Sequence, residues 1–279
     1  MPQGALIQLS SSDDPLANLE ITREHVTVAA SAGAEFILTP EVTNCVSTSR
    51  SHQNTVLSLE ANDPTLASLC DLANDLSIWL LIGSLALKTD DPNGRFANRS
   101  FLINPEGNIV SRYDKIHMFD VQINAEEQYR ESATFRPGDQ AVIAHTAFGL
   151  VGLSICYDLR FPLLYRKLAI AGARILVIPA AFSPVTGAAH WEAILRCRAI
   201  ETGCYVFAPA QTGLHASKTG RRSRTTHGHS MVVSPWGEVV LDAGVEIGSY
   251  LFSWDDAEID DARTRVPSLS HSRPFKDPN

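Results

Sequence analysis

The sequence predicts a protein of the α/β or α+β class. Short apolar runs alternate with segments of helical period, and glycine or proline marks many of the borders between them. Hydrophobic residues make up 44% of the chain, which is enough for a substantial core. This pattern does not distinguish a doubly wound sheet from a two-sheet sandwich with helices outside. The 279 residues contain no repeat, linker or composition break, so we expect a single domain over residues 1–279.

The elements of the first half follow from apolar period and chain breakers. A helix over about Pro15–Ala32 has Gly33 just past its end, where a left-handed residue commonly ends a helix. Apolar residues at a 3.6-residue period between Leu66 and Leu76 predict a second helix. The predicted strands are Ala5–Leu9, Glu35–Thr39, the almost wholly apolar Trp79–Leu87, and a hairpin of Ser100–Asn104 with Ile109–Tyr113.

The second half begins after a stretch, Phe119–Gly138, that we expect to be irregular. The helix predicted over Pro162–Ala171 has proline in its first turn and Gly172 just past its end. A further helix is predicted over His190–Thr202, with Gly203 ending it. The predicted strands are Ala141–Ala147, Leu150–Ile155, Ile175–Ile178, Val206–Pro209, Met231–Val233, Val239–Leu241 and Tyr250–Phe252.

Composition excludes several classes of partner. The net charge of −8 argues against nucleic acid, because phosphate binding needs a basic face and only the stretch 218–224 is basic. No signal peptide is evident, and the longest apolar runs are far short of the ~20 residues that span a bilayer. The five cysteines form no CxxC pair. We therefore expect no membrane, disulfide framework or zinc ribbon, and a reduced, cytoplasmic setting.

Cys156 is the first candidate for chemistry. It follows the apolar run Leu150–Ile155, and Pro162 then opens a helix. A strand that turns sharply into a helix lifts a nucleophile above a sheet and leaves N–H groups free near it. A thiol suits attack on an amide because its anion is strongly nucleophilic. The alternative is a buried structural cysteine, which is how we interpret Cys45, Cys70, Cys197 and Cys204.

Three further residues supply what amide hydrolysis by a thiol needs. Taken singly, Glu41, Lys115 and Glu131 would each be interpreted as a surface residue. Together they provide a carboxylate to move the thiol proton, a cation for the oxyanion, and a second carboxylate to hold that cation. Glu126 and Glu127 compete for this last role, but we expect them to face solvent.

The chain resembles a known family at five motifs. These motifs, together with the order Glu41, Lys115, Cys156, resemble the Nit branch of amidases in the nitrilase superfamily, and the resemblance covers almost the whole chain. It implies a four-layer α-β-β-α sandwich, a thioester acyl-enzyme, no metal or organic cofactor, and a homodimer or larger homo-oligomer. The motifs are Arg112–Asp120, Cys156–Pro162, Ala189–Glu192, Arg198–Glu201 and Gly228–Gly237.

The resemblance also implies roles for the site residues. Glu41 is then the general base, Lys115 the oxyanion stabiliser and Cys156 the nucleophile. Glu131 matches the family's second glutamate. The backbone N–H of Tyr157 would complete the oxyanion hole.

The substrate implied by the resemblance is a small molecule that bears carboxylates. Within the Nit branch the chain resembles amidases of deaminated glutathione more than ω-amidases of α-ketoglutaramate, which implies hydrolysis of a terminal carboxamide to carboxylate and ammonia. Arg160 is the candidate for binding a substrate carboxylate, although a structural salt bridge with Asp158 or another nearby acid is equally consistent. Phe182 and Thr186 match a loop that lines the family's pocket, although Phe182 could also be core.

Several alternatives stay open at this point. The loop His215–His227 is longer and more basic than the family pattern, so the exact substrate is not fixed. A nitrilase, an N-carbamoyl hydrolase or a catalytically silent binding protein could share the fold. A zinc hydrolase is disfavoured because His227 and His229 lack a nearby third ligand. A serine hydrolase is disfavoured because Gly152–Cys156 lacks the second glycine of G-x-S-x-G.

Overall fold

Two stacked β-sheets with helices on their outer faces make up the described part of the chain. The computed structural model describes residues 1–123, 128–217, 224–276 and 278. The helices are α1 (Pro15–Ser31), α2 (Arg50–Val56), α3 (Pro64–Leu76), α4 (Pro162–Ile170), α5 (Pro184–Thr202) and α6 (Asp256–Arg265). The strands are β1 (Gln3–Gln8), β2 (Phe36–Leu38), β3 (Trp79–Leu87), β4 (Ala97–Ile103), β5 (Ile109–Asp114), β6 (Asp120–Gln122), β7 (Gln128–Arg130), β8 (Val142–Thr146), β9 (Gly149–Leu153), β10 (Ile175–Val177), β11 (Tyr205–Ala208), β12 (Thr212–His215), β13 (Arg224–His227), β14 (Met231–Val233), β15 (Val239–Asp242) and β16 (Gly248–Ser253).

The two large sheets are built alike. The first has the order β16-β1-β2-β3-β4-β5, with β1, β2 and β3 parallel, and the second has the order β15-β14-β11-β10-β9-β8, with β9, β10 and β11 parallel. Antiparallel strands flank each parallel centre. Side chains just beyond β2, β9 and β10 are therefore placed at the carboxyl ends of parallel strands, where active sites on such sheets gather.

Alternation along the first sheet sorts its side chains between two cores. Ile7 and Ile37 pack with residues of α1 and α3 on the outer face. Leu6 and Leu38 face the other way and share a core with the second sheet. On the far side of that sheet α4 lies close to β9, where a Cβ at Gly152 would be 3.1 Å from Leu168 Cδ1. The layers are thus helix, sheet, sheet, helix, which confirms the expected four-layer sandwich.

Several predicted elements were wrong in detail. The stretch Phe119–Gly138 contains the β6–β7 hairpin, and β9 ends at Leu153, before Ser154 and Ile155. Helix α5 begins at Pro184, well before His190. Its glycine, Gly187, weakens the helical pattern but is required, because a Cβ there would lie 2.3 Å from the His227 ring. The short helix α2 and the polar helix α6 were missed because apolar period hardly marks them.

Within the described ranges, no helix is both long and apolar enough to cross a bilayer.

Candidate active site

The four residues expected to perform the chemistry come from four separate places in the chain. Glu41 follows β2, Lys115 follows β5, Glu131 begins a 3-10 turn after β7, and Cys156 begins a 3-10 turn after β9. All four line one cavity of about 630 Å³. The competitors Glu126 and Glu127 lie outside the described residues.

The Lys115 ammonium connects the two carboxylates. Its Nζ lies 2.8 Å from Glu41 Oε1 and 2.9 Å from both Glu131 carboxylate oxygens. The Lys115 side chain is 2% exposed, so these charge-assisted bonds are shielded from water. Asn98 adds a neutral donor, because its Nδ2 lies 2.8 Å from Glu41 Oε1 and 3.4 Å from Glu131 Oε1.

The Cys156 thiol is in hydrogen-bonding contact with the Glu41 carboxylate. Glu41 Oε2, which is not the oxygen bonded to Lys115, accepts from the backbone N–H of Ala181 at 2.8 Å. Cys156 has a φ of +50°, a left-handed conformation that non-glycine residues rarely adopt, and its N–H donates to Pro179 O. The predicted sharp turn at the nucleophile is therefore present.

The protons of this cluster are distributed by burial and by the neighbouring charges. Burial raises the pKa of Cys156, the Glu41 charge raises it further, and Lys115 only partly opposes this. Burial also raises the pKa of Glu41, but the charge and hydrogen bond of Lys115 outweigh it, so the pKa of Glu41 is below its usual range. In the resting site the thiol is protonated and Glu41 is ionised, which is the arrangement a general base needs.

Two donors that line the cavity with Cys156 are the candidates for an oxyanion hole. The Lys115 ammonium is one of them. The second is the N–H of Tyr157, the second residue of the 3-10 turn Cys156–Arg160, since the first N–H groups of a helical turn have no acceptor within it. The expected roles of Lys115 and Tyr157 are compatible with this geometry.

Asp158 connects the nucleophile's turn to the end of β5 and the residues that follow it, which include Lys115. Its Oδ2 accepts from Tyr113 Oη at 2.6 Å and from the Ile155 N–H at 2.9 Å. Its Oδ1 accepts from the His117 N–H at 3.0 Å and lies 2.7 Å from His117 Nδ1. Asp158 is fully buried, so it fixes Cys156 relative to Lys115. A salt bridge between Asp158 and Arg160 is not part of this arrangement.

We expect Asp158→Asn to lower both stability and turnover. The new amide would place a donor against the Ile155 N–H or the His117 N–H, and each buried donor without an acceptor costs about 1–3 kcal/mol. Denaturant unfolding and kcat measure the two effects. Asp139→Asn makes the same change at an exposed position and should alter neither. An Asp158→Asn variant as stable and active as the parent would contradict the bracing role.

Gly83 lets the two sheets approach each other beneath the site. A Cβ at this position would lie 2.0 Å from Thr39 O and 2.6 Å from Pro179 Cβ. These neighbours lead directly to Glu41 on one side and to Ala181 on the other. Only glycine permits this approach, and the pattern of β3 does not indicate it because Gly83 lies inside an almost wholly apolar strand.

The predicted substrate-binding residues are placed differently from one another. Tyr157, Phe182 and Thr186 line the cavity. Arg160 is not among its lining residues. The Arg160 guanidinium lies 5.6 Å from the centre of the Phe182 ring, and its Nη2 lies 3.2 Å from His190 Nδ1. Carboxylate binding by Arg160 stays a prediction.

Asn98 and three arginines are among the cavity residues that were not predicted from the sequence. Asn98 was overlooked because a single polar residue in a strand is a weak signal, although it is 2% exposed. The basic side chains Arg50, Arg130 and Arg224 also line the cavity. Arg224 is the last residue of the basic stretch 218–224, and positions 218–223 of that stretch lie outside the described residues.

Comparison with known proteins agrees with this geometry. A family model described as carbon-nitrogen hydrolase matches residues 4–249. A deaminated glutathione amidase of Synechocystis sp. is 37% identical over 271 residues, covering 96% of each chain. A deaminated glutathione amidase of Mus musculus is 38% identical over 277 residues, covering 98% of this chain and 84% of the relative.

Solved structures give the same result. The C. elegans NitFhit protein has a TM-score of 0.89 at 34% identity, with 98% of this chain and 65% of that longer chain covered. Saccharomyces cerevisiae Nit3, a member of branch 10 of the nitrilase superfamily, has a TM-score of 0.82 at 29% identity, with 95% and 94% covered. The chain therefore belongs to the carbon–nitrogen hydrolase family of the nitrilase superfamily and is a hydrolase of carbon–nitrogen bonds other than peptide bonds.

Proposed function

We propose that this protein is a cysteine-dependent amidase that cleaves a small, carboxylate-bearing substrate of the deaminated glutathione type through a thioester. One observation supports the chemistry most directly. The Cys156 thiol contacts the ionised Glu41, whose carboxylate is bonded to a Lys115 ammonium that Glu131 also holds. This places nucleophile, base and oxyanion donor around one cavity.

The acylation step uses each of these groups. Cys156 Sγ bonds to the carbonyl carbon of the amide while its proton passes to Glu41. The Lys115 ammonium and the Tyr157 N–H stabilise the developing oxyanion. The intermediate then collapses, the carbon–nitrogen bond breaks, and the leaving nitrogen takes the proton from Glu41. The products are a thioester on Cys156 and a free amine or ammonia.

Deacylation reverses the proton transfers with water as the nucleophile. Glu41 accepts a proton from water as the water oxygen bonds to the thioester carbon, and the same donors hold the second oxyanion. The carbon–sulfur bond breaks, and the sulfur recovers its proton from Glu41. Glu131 keeps Lys115 in place through both steps, since both of its oxygens lie 2.9 Å from Nζ. No step requires a metal or an organic cofactor.

The charges on the cavity wall favour an anionic substrate. The two acids, Glu41 and Glu131, are both bonded to Lys115. Three further cations, Arg50, Arg130 and Arg224, also line the cavity, so the part of its wall that the structure describes is positive although the whole chain has a net charge of −8. Such a field raises the local concentration of carboxylates. The names of the relatives support deaminated glutathione as the substrate, and an ω-amide such as α-ketoglutaramate is the second candidate.

The leaving group distinguishes these two candidates. An ω-amide has a primary carboxamide and releases ammonia. Deaminated glutathione has only secondary amides, so its cleavage releases an amine. The expectation from the sequence that a terminal carboxamide is hydrolysed to ammonia therefore applies only to the ω-amides. The cavity of about 630 Å³ lies within the usual range for small-molecule sites and is large enough for a substrate with a substituent on both sides of the amide.

A substrate panel tests the proposal. The purified protein is incubated with deaminated glutathione, α-ketoglutaramate, a nitrile and an N-carbamoyl amino acid, and released amine and ammonia are measured separately. We expect amine release from deaminated glutathione, with slower ammonia release from α-ketoglutaramate. Mass spectrometry of quenched reactions should show an acyl group on Cys156. Turnover of the nitrile or carbamoyl compound alone would support those hydrolases instead. No turnover and no adduct would support a silent binding protein.

A further inference from the structure

We infer that Arg224 is a positioning residue for the catalytic base Glu41, which it controls through the backbone of Ala181. This inference rests on the proposed amidase function, because it assumes that Glu41 is the base. It assigns a role to a residue of the basic stretch that sequence patterns place on the surface.

The first step of the argument is the path of hydrogen bonds. Arg224 Nη2 donates to the Ala181 carbonyl oxygen at 2.6 Å. The N–H of the same residue donates to Glu41 Oε2 at 2.8 Å and also contacts the Cys156 sulfur. Ala181 is thus held at one end by Arg224 and itself holds the base and nucleophile at the other. A shift of Ala181 would move both groups.

The second step is that β13 holds this segment at two consecutive residues. Besides the Arg224 side chain, the His227 N–H donates to Phe182 O at 2.9 Å. The segment from Ala181 to Phe182 follows β10 and has no regular hydrogen bonding of its own. The Arg224 guanidinium also lies 5.9 Å from the centre of the Tyr129 ring, which limits its freedom to leave. Placement of the segment therefore depends on β13.

The third step is the charge that Arg224 contributes. Among the residues that the structure describes, the charged or titratable groups that act on Glu41 are Lys115 after β5, Cys156 after β9 and Arg224 on β13, with Glu131 across Lys115. The other contacts, Asn98 on β4 and the Ala181 N–H, are neutral. Burial raises the pKa of Glu41, and the charge of Arg224 acts with Lys115 to lower it. Removing the Arg224 charge should therefore raise the pKa of Glu41.

Arg130 provides a matched control. It also lines the cavity as an arginine, but its side chain is exposed and it is not among the groups that act on Glu41. Both arginines can attract an anionic substrate. An effect common to both variants therefore reports on substrate attraction, whereas an effect confined to Arg224 reports on the base.

The test compares Arg224→Gln, Arg224→Lys and Arg130→Gln by steady-state kinetics across pH. We expect Arg224→Gln to lower kcat roughly 10- to 100-fold, as a displaced catalytic group does, and to shift the acidic limb of kcat/KM to higher pH. Arg224→Lys keeps the charge but not the forked donor, so its limb should stay in place while kcat falls less. Arg130→Gln should raise KM only.

Alkylation of Cys156 by iodoacetamide gives a readout that needs no turnover. The sulfur bonds to the methylene carbon, iodide leaves, and the thiol proton passes to Glu41 and then to solvent. Peptide mapping confines the measurement to Cys156. The acidic limb of the alkylation rate should shift upward in Arg224→Gln and stay in place in Arg130→Gln. This shift without any amide turnover would leave the inference standing while the proposed function fell.

Two results would overturn the inference. One is an Arg224→Gln variant with a raised KM but unchanged kcat and unshifted limbs, since Arg224 would then only contact substrate. Thermal unfolding checks that each variant is folded. If Arg224→Gln does not fold, Arg224→Lys decides. The second overturning result is a wild-type kcat in Arg224→Lys, which would refute positioning by the guanidinium. A lowered kcat in that variant, with the acidic limb of kcat/KM in place, would support it.

Discussion

Replacing Cys156 by alanine is expected to remove turnover while leaving the substrate able to bind. Alanine keeps the backbone turn but has no atom that can form a thioester. Loss of a nucleophile that acts in concert with its base typically costs roughly 10⁴-fold or more in kcat. Because Lys115, Tyr157 and the cationic cavity wall remain, calorimetric titration should give a dissociation constant close to the KM of the parent when chemistry limits turnover.

Cys197→Ala is the control for this prediction. Cys197 is an exposed cysteine on α5 and does not line the cavity, so the same change there should leave kcat and KM unaltered. Near-normal turnover by Cys156→Ala would eliminate covalent catalysis at this position and would require a different nucleophile.

Replacing Lys115 by methionine is expected to have the second largest effect. The substitution removes the cation proposed for the oxyanion hole, and loss of one such donor typically costs about 10²–10³-fold in rate. It also leaves Glu41 and Glu131 close together without the ammonium that is bonded to both of them. Breaking a buried ion pair by removing one partner costs about 3–5 kcal/mol, so we expect a folded but less stable enzyme.

The pH dependence of this loss is a further check on the Lys115 variant. Two neighbouring carboxylates that lose the ammonium between them favour protonation, so the pKa of at least one of them rises in the folded state. A group with a raised folded pKa is stabilising only when protonated, and the stability deficit of Lys115→Met should therefore shrink as the pH is lowered toward about 5. Thermal unfolding measures this against Lys88→Met, a lysine outside the cavity. A stability deficit of Lys115→Met that is the same at all pH values would contradict the pairing of Lys115 with Glu41 and Glu131.

The sequence predicted the residues that perform the chemistry better than it predicted the fold and the other residues that line the cavity. Cys156, Glu41, Lys115 and Glu131 could be proposed because thiol chemistry on an amide needs these residue types, and the structure places all four on one cavity. Strand order and sheet stacking could not be derived from period alone, because a buried strand has the same pattern in any of several sheets. The resemblance to the nitrilase superfamily supplied the layered arrangement.

The residues that the sequence missed act through contacts distant in the chain. Asn98 and Arg224 meet Glu41 or its neighbour Ala181 only after several elements have packed, so no local spacing marks them. Gly83 is required by the carbonyls of Thr39 and Pro40, just after β2, and by Pro179. A charge run such as 218–224 is usually interpreted as surface, and only the fold reveals that its last arginine is directed inward.

The two sheets divide the catalytic groups between them. Glu41 and Lys115 extend from the first sheet, whereas Cys156 and Ala181 extend from the second. Base and nucleophile therefore meet only as long as the opposed halves of the molecule remain docked. The hydrolysis rate therefore depends on how the two sheets pack against each other. A conservative change among the apolar side chains between the sheets can abolish activity without unfolding the protein.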